Sequence, residues 1–176
     1  MRRKVLDAEG PLREVSALPQ QTTRLSTDLR HLSHDLHPGA LEHLGLLEAL
    51  RGRWEEIRAE TGVEVRLDVS EDWTEVPDVV GLCLYRVAQE ALRNVTQHAQ
   101  ARSARVSLAR EEGRVVMYVS DDGRGFEQTA ARPSGLGLVS LGERVRMLGG
   151  ALEVSTQQAA GTTLAVRLPV GERHAT

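Results

Sequence analysis

Aromatic side chains make up only 3% of this 176-residue sequence, so its core has to be assembled from Leu, Val and Ala. There is one cysteine, Cys83, which excludes an internal disulfide and a cysteine-based zinc site. Set among Leu82, Leu84 and Val87, it reads as a small buried hydrophobe. No apolar run approaches the roughly 18 residues needed to cross a membrane. The opening Met1-Arg2-Arg3-Lys4 is basic but lacks the apolar stretch of a secretory signal behind it. Positive charge is not in excess: a net charge of −3 gives no general basic surface for nucleic acid. Internal repeats and low-complexity tracts are missing too. What remains, 40% hydrophobic and 27% charged residues, fits a soluble, cytoplasmic protein with one well-buried domain and a small appendage.

The hydrophobic rhythm divides the chain. Residues 1–19 carry Pro11 and Pro19 and read as a loose lead-in. From 20 to 36, Leu25, Leu29, Leu32 and Leu36 form one narrow helical stripe, which calls for a partner helix. His37-Pro38-Gly39 breaks it, and a helix resumes over 40–61 with Leu41, Leu44, Leu47, Leu50, Trp54 and Ile57. The segment 20–61 is therefore a helical unit, partial in extent, and 62–170 a separate domain. In that domain Val63, Val65, Leu67 and Val69 alternate with charged residues as a half-buried strand. A long helix follows over 77–98, then strands at 104–110 and 114–120 joined at Glu111-Glu112-Gly113. A Gly-, Arg- and Ser-rich loop spans 122–137, and a helix over 138–148 ends at Gly149-Gly150. Strands at 151–157 and 162–170 complete it, before a frayed tail at 171–176. This order suits an α+β, two-layer arrangement with helices on one face of a mixed sheet.

Three polar constellations stand out. Glu90, Asn94 and His98 are spaced by four and climb one face of the 77–98 helix, away from its Val/Leu/Ala face. That face suits either solvent or a pocket wall. As a wall, the Asn94 oxygen suits Mg²⁺, Glu90 suits a base near a γ-phosphate, and His98 suits a phosphate contact. Asp121, Gly123 and Gly125 close a strand, either as an ordinary Asp-Gly turn or as a carboxylate that accepts from the amino group of adenine beside glycines that admit the flat base. Gly135-Leu136-Gly137-Leu138 opens a helix, as a surface loop or a phosphate cover. It lacks the Gly-Lys-Ser/Thr of a Walker loop. Gly161-Thr162-Thr163 is a hairpin turn between the last two strands, or, beside the other segments, a place from which Thr162 partners the carboxylate.

Taken in order, these residues resemble the nucleotide-binding Bergerat fold of the GHKL group, which holds histidine kinases, gyrase, Hsp90 and MutL. Leu84 through Asn94 with His98-Ala99 resembles the N box, Asp121 through Phe126 the G1 box, Gly135–Leu138 the G2 box and Gly161-Thr162 the closing Gly-Thr pair. The resemblance implies that Asn94 holds Mg²⁺, Asp121 reads adenine, and Gly135–Gly137 belongs to an ATP lid. Leu36-His37-Pro38, Leu41, Leu44-Gly45-Leu46 and Ala49-Leu50 resemble the end of the second dimerisation helix in two-component sensor kinases of the HisKA_3 type. Such kinases phosphorylate a histidine on the first dimerisation helix, act as homodimers and pass the phosphoryl group to a response regulator. Gln97 stands where that family often has Lys or Arg. Residues 1–20 have no room for the first helix, so the resemblance places the acceptor helix in a longer parent kinase. Within the chain His34-Asp35 superficially resembles the acceptor pair; by helical count His34 lies opposite the leucine stripe, which suits either a phosphoacceptor or an ordinary surface histidine, and His31, His34 and His37 also admit a metal reading. The rival readings are another GHKL ATPase, with Glu90 activating water, and a nucleotide-sensing or dimerisation module without transfer activity.

Overall fold

The computed structural model describes residues 39–126 and 136–170. The described residues after Gly39 all fall in one compact unit. The expected lead-in, the 20–36 helix with His34, the His37-Pro38 break, Gly135 and the tail lie outside the described residues.

The elements run α1 (Gly39–Thr61), β1 (Glu64–Val69), α2 (Asp78–Asn94), a π-helical turn (Val95–Ala99), β2 (Ser103–Glu111), β3 (Arg114–Asp121), α3 (Leu136–Met147), β4 (Ala151–Thr156) and β5 (Thr162–Pro169). The strands form one mixed sheet in the order β1-β2-β3-β5-β4. β1 and β2 are parallel, as strands joined through a helix can be, and the remaining pairs are antiparallel. Glu112 and Gly113 both take positive φ, the two-residue turn that the twist of a β2–β3 hairpin favours.

The core follows from two periodicities. Along the strands, every second residue faces the helices: Val106 and Leu108 on β2, Val115, Met117 and Val119 on β3, Leu164, Val166 and Leu168 on β5. Along α2, Val80, Leu84, Val87, Ala88, Ala91 and Leu92 recur at three and four residues, and all are buried. Pro77 precedes α2, and its carbonyl accepts the N–H groups of Val80 and Gly81 at 2.9 Å. Asp78 places a negative charge in the first turn, where the helix dipole favours it.

Two helices differ from the sequence-based expectation. The 40–61 helix is interrupted at Gly45, whose φ of 77° and ψ of 173° lie in a region open only to glycine. The break changes the helical phase, so Leu46, Ala49, Leu50, Trp54 and Ile57 enter the core that the sheet lines, while Leu44 stays 62% exposed. The helix expected over 77–98 is α-helical only to Asn94 and then widens into the π turn, closed by Gln100 in the left-handed region. α3 ends as expected at Gly149-Gly150, where Gly149 N–H reaches the Arg146 carbonyl at 2.9 Å and Gly150 N–H the Val145 carbonyl at 3.0 Å.

Asp122 fastens the end of β3 to the start of β2. Its Oδ1 accepts the N–H groups of Arg102 at 2.8 Å and Ser103 at 2.9 Å, and its Oδ2 accepts the Ser103 hydroxyl at 3.0 Å. The Ser103 N–H bond, against slight desolvation and with help from the other donors, holds this carboxyl below the usual aspartate range. A lowered carboxyl stabilises the fold above the ordinary aspartate pKa and loses that contribution as pH falls through the lowered value. Asp122→Ala is therefore expected to lower stability by about 1 kcal/mol at neutral pH, small because the group is exposed. Urea melts at pH 7 and pH 3 check this: the gap between wild type and variant should narrow at the lower pH, and equal midpoints at pH 7 would refute the fastening role. Cys83 is 1% exposed, and burial pushes its thiol up to about 11 despite the charge of Arg144. A thiol-reactive dye should label it at neutral pH only in denaturant; fast labelling of the native protein would contradict the packing.

Candidate active site

The alternation that buries Val115, Met117 and Val119 carries on to Asp121, so its carboxylate lies on the helix side of the sheet, where β3 runs out of core. Its Oδ1 accepts the Gly123 N–H at 2.8 Å. Burial raises this carboxyl above the usual aspartate range; the backbone N–H groups of Gly123 and Thr162 pull it back, and neighbouring Asp122 adds to the rise. The adjacent aspartates thus differ in kind: Asp122 is spent on backbone N–H groups at the surface, whereas Asp121 is partly desolvated beside open space.

That space is a cavity of about 690 Å³, within the range of nucleotide-sized pockets. Ala91, Val95, Val119, Leu138 and Leu164 supply its apolar lining, and Asn94, His98, Asp121 and Thr162 its polar groups. The face that carries Glu90, Asn94 and His98, which the sequence offers either to solvent or as a pocket wall, divides in the structure. Asn94 and His98 do line the cavity, His98 from the π turn, while Glu90 stands one helical turn before Asn94 outside the lining. Glu90 instead receives Arg93, with Nε at 2.8 Å from Oε2 and Nη2 at 2.6 Å from Oε1.

The loops around the cavity are joined through the backbone of one residue, Arg124. The Arg124 N–H donates to the Ala99 carbonyl of the π turn at 2.8 Å, and the Arg124 carbonyl accepts the Ala159 N–H of the β4–β5 turn at 2.7 Å. Thr156 adds a second joint: its Oγ1 accepts the Phe126 N–H at 3.1 Å, donates to the Gly161 carbonyl at 3.2 Å and lies 3.2 Å from Thr162 Oγ1. Gly161 has φ of 79°, and a Cβ there would overlap the Asp121 carbonyl. At Gly123 a Cβ would lie 2.5 Å from the Ala99 carbonyl oxygen and 2.7 Å from Asp121 Oδ1. The close approach that these glycines permit in this structure is thus of protein to protein.

Of the residues singled out from sequence, Asn94, His98, Asp121, Gly125, Leu138 and Thr162 line the cavity. Gly123 sits beneath Asp121 as a hydrogen-bond donor, and Gly137, in the first turn of α3, packs against Glu90. Leu136 begins α3, and Gly135 and His34 lie outside the described residues. Sequence reasoning did not single out Arg124, Phe126, Gln158 or Ala159 as lining residues. Arg124 and Phe126 are interleaved with Gly123 and Gly125, which was a usable signal; Gln158 and Ala159 occupy a turn with no such mark.

The family described as histidine kinase-, DNA gyrase B- and HSP90-like ATPase matches residues 80–172, more than half of the chain. The chain is 31% identical over 159 residues to the signal transduction histidine-protein kinase/phosphatase DegS of Brevibacillus brevis, covering 90% of this chain and 41% of that protein. It is 39% identical over 145 residues to the sensor histidine kinase MctS of Rhizobium johnstonii, covering 81% of this chain and 31% of that protein. The chain therefore spans less than half the length of these relatives. Among solved structures, the histidine kinase domain of the blue-light activated histidine kinase from Erythrobacter litoralis EL346 superposes with a TM-score of 0.59 at 25% identity, covering 71% of this chain and 61% of that one. The chain belongs to the histidine kinase-, DNA gyrase B- and HSP90-like ATPase family.

Proposed function

We propose that residues 62–170 bind Mg-ATP in the 690 Å³ cavity and transfer its γ-phosphoryl group to a histidine on the dimerisation helices of the parent kinase. The observation that carries this reading is the partly desolvated Asp121 carboxylate, which lines from the end of β3 a largely apolar cavity that Asn94 also lines. An ionised acceptor there takes a hydrogen bond from the exocyclic amine of adenine and repels the carbonyl that guanine presents instead. Gly123, Gly125 and Thr162 hold this end of the site, and Leu136, Gly137 and Leu138 begin the helix behind the lid.

Asn94 offers one amide oxygen at the cavity wall, and among the described residues no cluster of His, Cys, Asp or Glu is placed to hold a metal without help. That donor set fits Mg²⁺, which takes one or two protein oxygens and fills its other positions with water and phosphate. Bound there, the ion neutralises charge on the phosphates. His98, one turn on, supplies a hydrogen bond to phosphate in a chain that has Gln97 at the neighbouring position. Glu90 orients the incoming imidazole: the nitrogen–phosphorus bond forms, the bond to the leaving ADP oxygen breaks, and the imidazole proton passes to the Glu90 carboxylate. The phosphoryl group then moves to an aspartate of a response regulator. A homodimer of the parent kinase, paired through helices continuous with residues 20–61, brings acceptor and cleft together, and the whole reaction belongs to the cytoplasm. Among the described residues no helix is long and apolar enough to cross a membrane.

Calorimetry of Mg-ATP binding tests the central role. Asp121→Asn should weaken binding by about tenfold or more, the loss of one charge-assisted bond; an unchanged Kd would remove Asp121 from adenine recognition. The sign of the pH effect is also set. A raised carboxyl destabilises the fold when ionised, so the variant should melt no lower than wild type. Conversely, adenine needs the ionised form, so wild-type Kd should rise as pH falls through the raised pKa, beginning at a higher pH than for an ordinary aspartate. A wild-type Kd that is flat with pH, down to where the fold itself fails, would contradict this assignment.

A further inference from the structure

Glu90 is held from two directions. On α2 the guanidinium of Arg93, three residues on, meets both carboxylate oxygens, with Nε on Oε2 at 2.8 Å and Nη2 on Oε1 at 2.6 Å. Two parallel bonds fix the plane of a carboxylate as well as its position, which a single bond does not. The fork is braced in turn, since Arg93 Nη1 reaches Gln97 Oε1 at 3.2 Å one turn later. From the other side, the first turn of α3 presses in. A Cβ on Gly137 would overlap Glu90 Oε1 and lie 2.6 Å from Cδ. The carboxylate is left 18% exposed, against 52% for Arg93. Each carboxylate oxygen has two lone pairs, so the fork engages one on each and leaves the others for a further donor. An exposed pair at this helical spacing adds little to stability. The arrangement aims the carboxylate far more than it strengthens the helix.

We propose that Arg93 is a positioning residue for phosphoryl transfer, fixing the plane of the Glu90 carboxylate against Gly137 in the first turn of α3. The proposal rests on Glu90 serving the incoming histidine, as argued above. Because Arg93 stands outside the nucleotide cavity, its removal changes the transfer step and not ATP affinity. Lysine in its place offers a point charge without the fork, and so restores the charge but not the plane.

The test measures formation of acid-labile phosphohistidine from γ-labelled Mg-ATP in the full-length protein containing these residues, alongside ATP binding and thermal melts. Arg93→Ala should lower kcat by about tenfold or more, as a misaimed group does, with KM for ATP within about twofold of wild type and an unchanged Tm. Arg93→Lys should recover only a minor part of the lost rate. In a Glu90→Gln background, Arg93→Ala should cost nothing further, because residues that act through one another are not additive. A wild-type rate in Arg93→Ala, full recovery by lysine, or an equal loss in the Glu90→Gln background each overturns the proposal while leaving the transferase reading intact. Wild-type protein that forms no phosphohistidine overturns both.

Discussion

The two-residue period of β3 sets one carboxylate among a row of core side chains. Val115, Met117 and Val119 face the helices because alternate residues of a strand share a face, and the same rule carries Asp121 to the inner side one step past the last of them. The strand cannot slip by one residue without exposing those three apolar side chains, so the register that builds the core also aims the acid. Burial makes Asp121 a reluctant anion, and the N–H groups of Gly123 and Thr162 restrain that effect. The proposed reading of adenine draws on that balance: a charge partly dry, and supported enough to exist.

The walls of the cleft come from segments far apart in sequence, and their union is a matter of backbone hydrogen bonds. The Arg124 backbone links the π turn after α2 to the β4–β5 turn, while Thr156 ties the segment at Phe126 to Gly161 and Thr162. The carbonyl of Ala99 can meet Arg124 because the helix widens at Val95. π turns recur at functional sites, and here one brings the end of α2 against Arg124 while keeping His98 on the lining.

Much of this was legible in the residues. The strand alternations, the apolar face of α2 and the Gly-Gly end of α3 are local signals, and local signals survive folding. The ordered motifs also indicated the cleft, since each element end that lines it carries a glycine or a polar residue at fixed spacing. Three features were not legible. The interruption at Gly45 follows from a backbone angle and not from a change in hydrophobic rhythm, so Leu44 read as part of a stripe it does not join. The π turn presents its Ala99 carbonyl to the Arg124 N–H, a partner more than twenty residues away that no local pattern marks. The role of Thr156 arises because sheet pairing sets it opposite Thr162, and nothing in its own neighbourhood of the sequence marks it.

Cys83 has a consequence beyond packing. It is the sole sulfhydryl of the sequence, sealed on α2 with a proton it releases only in strongly alkaline solution. Peroxide and disulfide-exchanging agents act on thiolates they can reach, and the native domain presents them with none. Thiol chemistry therefore has no foothold on α2 in the native domain, and reagents that act on cysteine reach it only once the packing around Cys83 has opened.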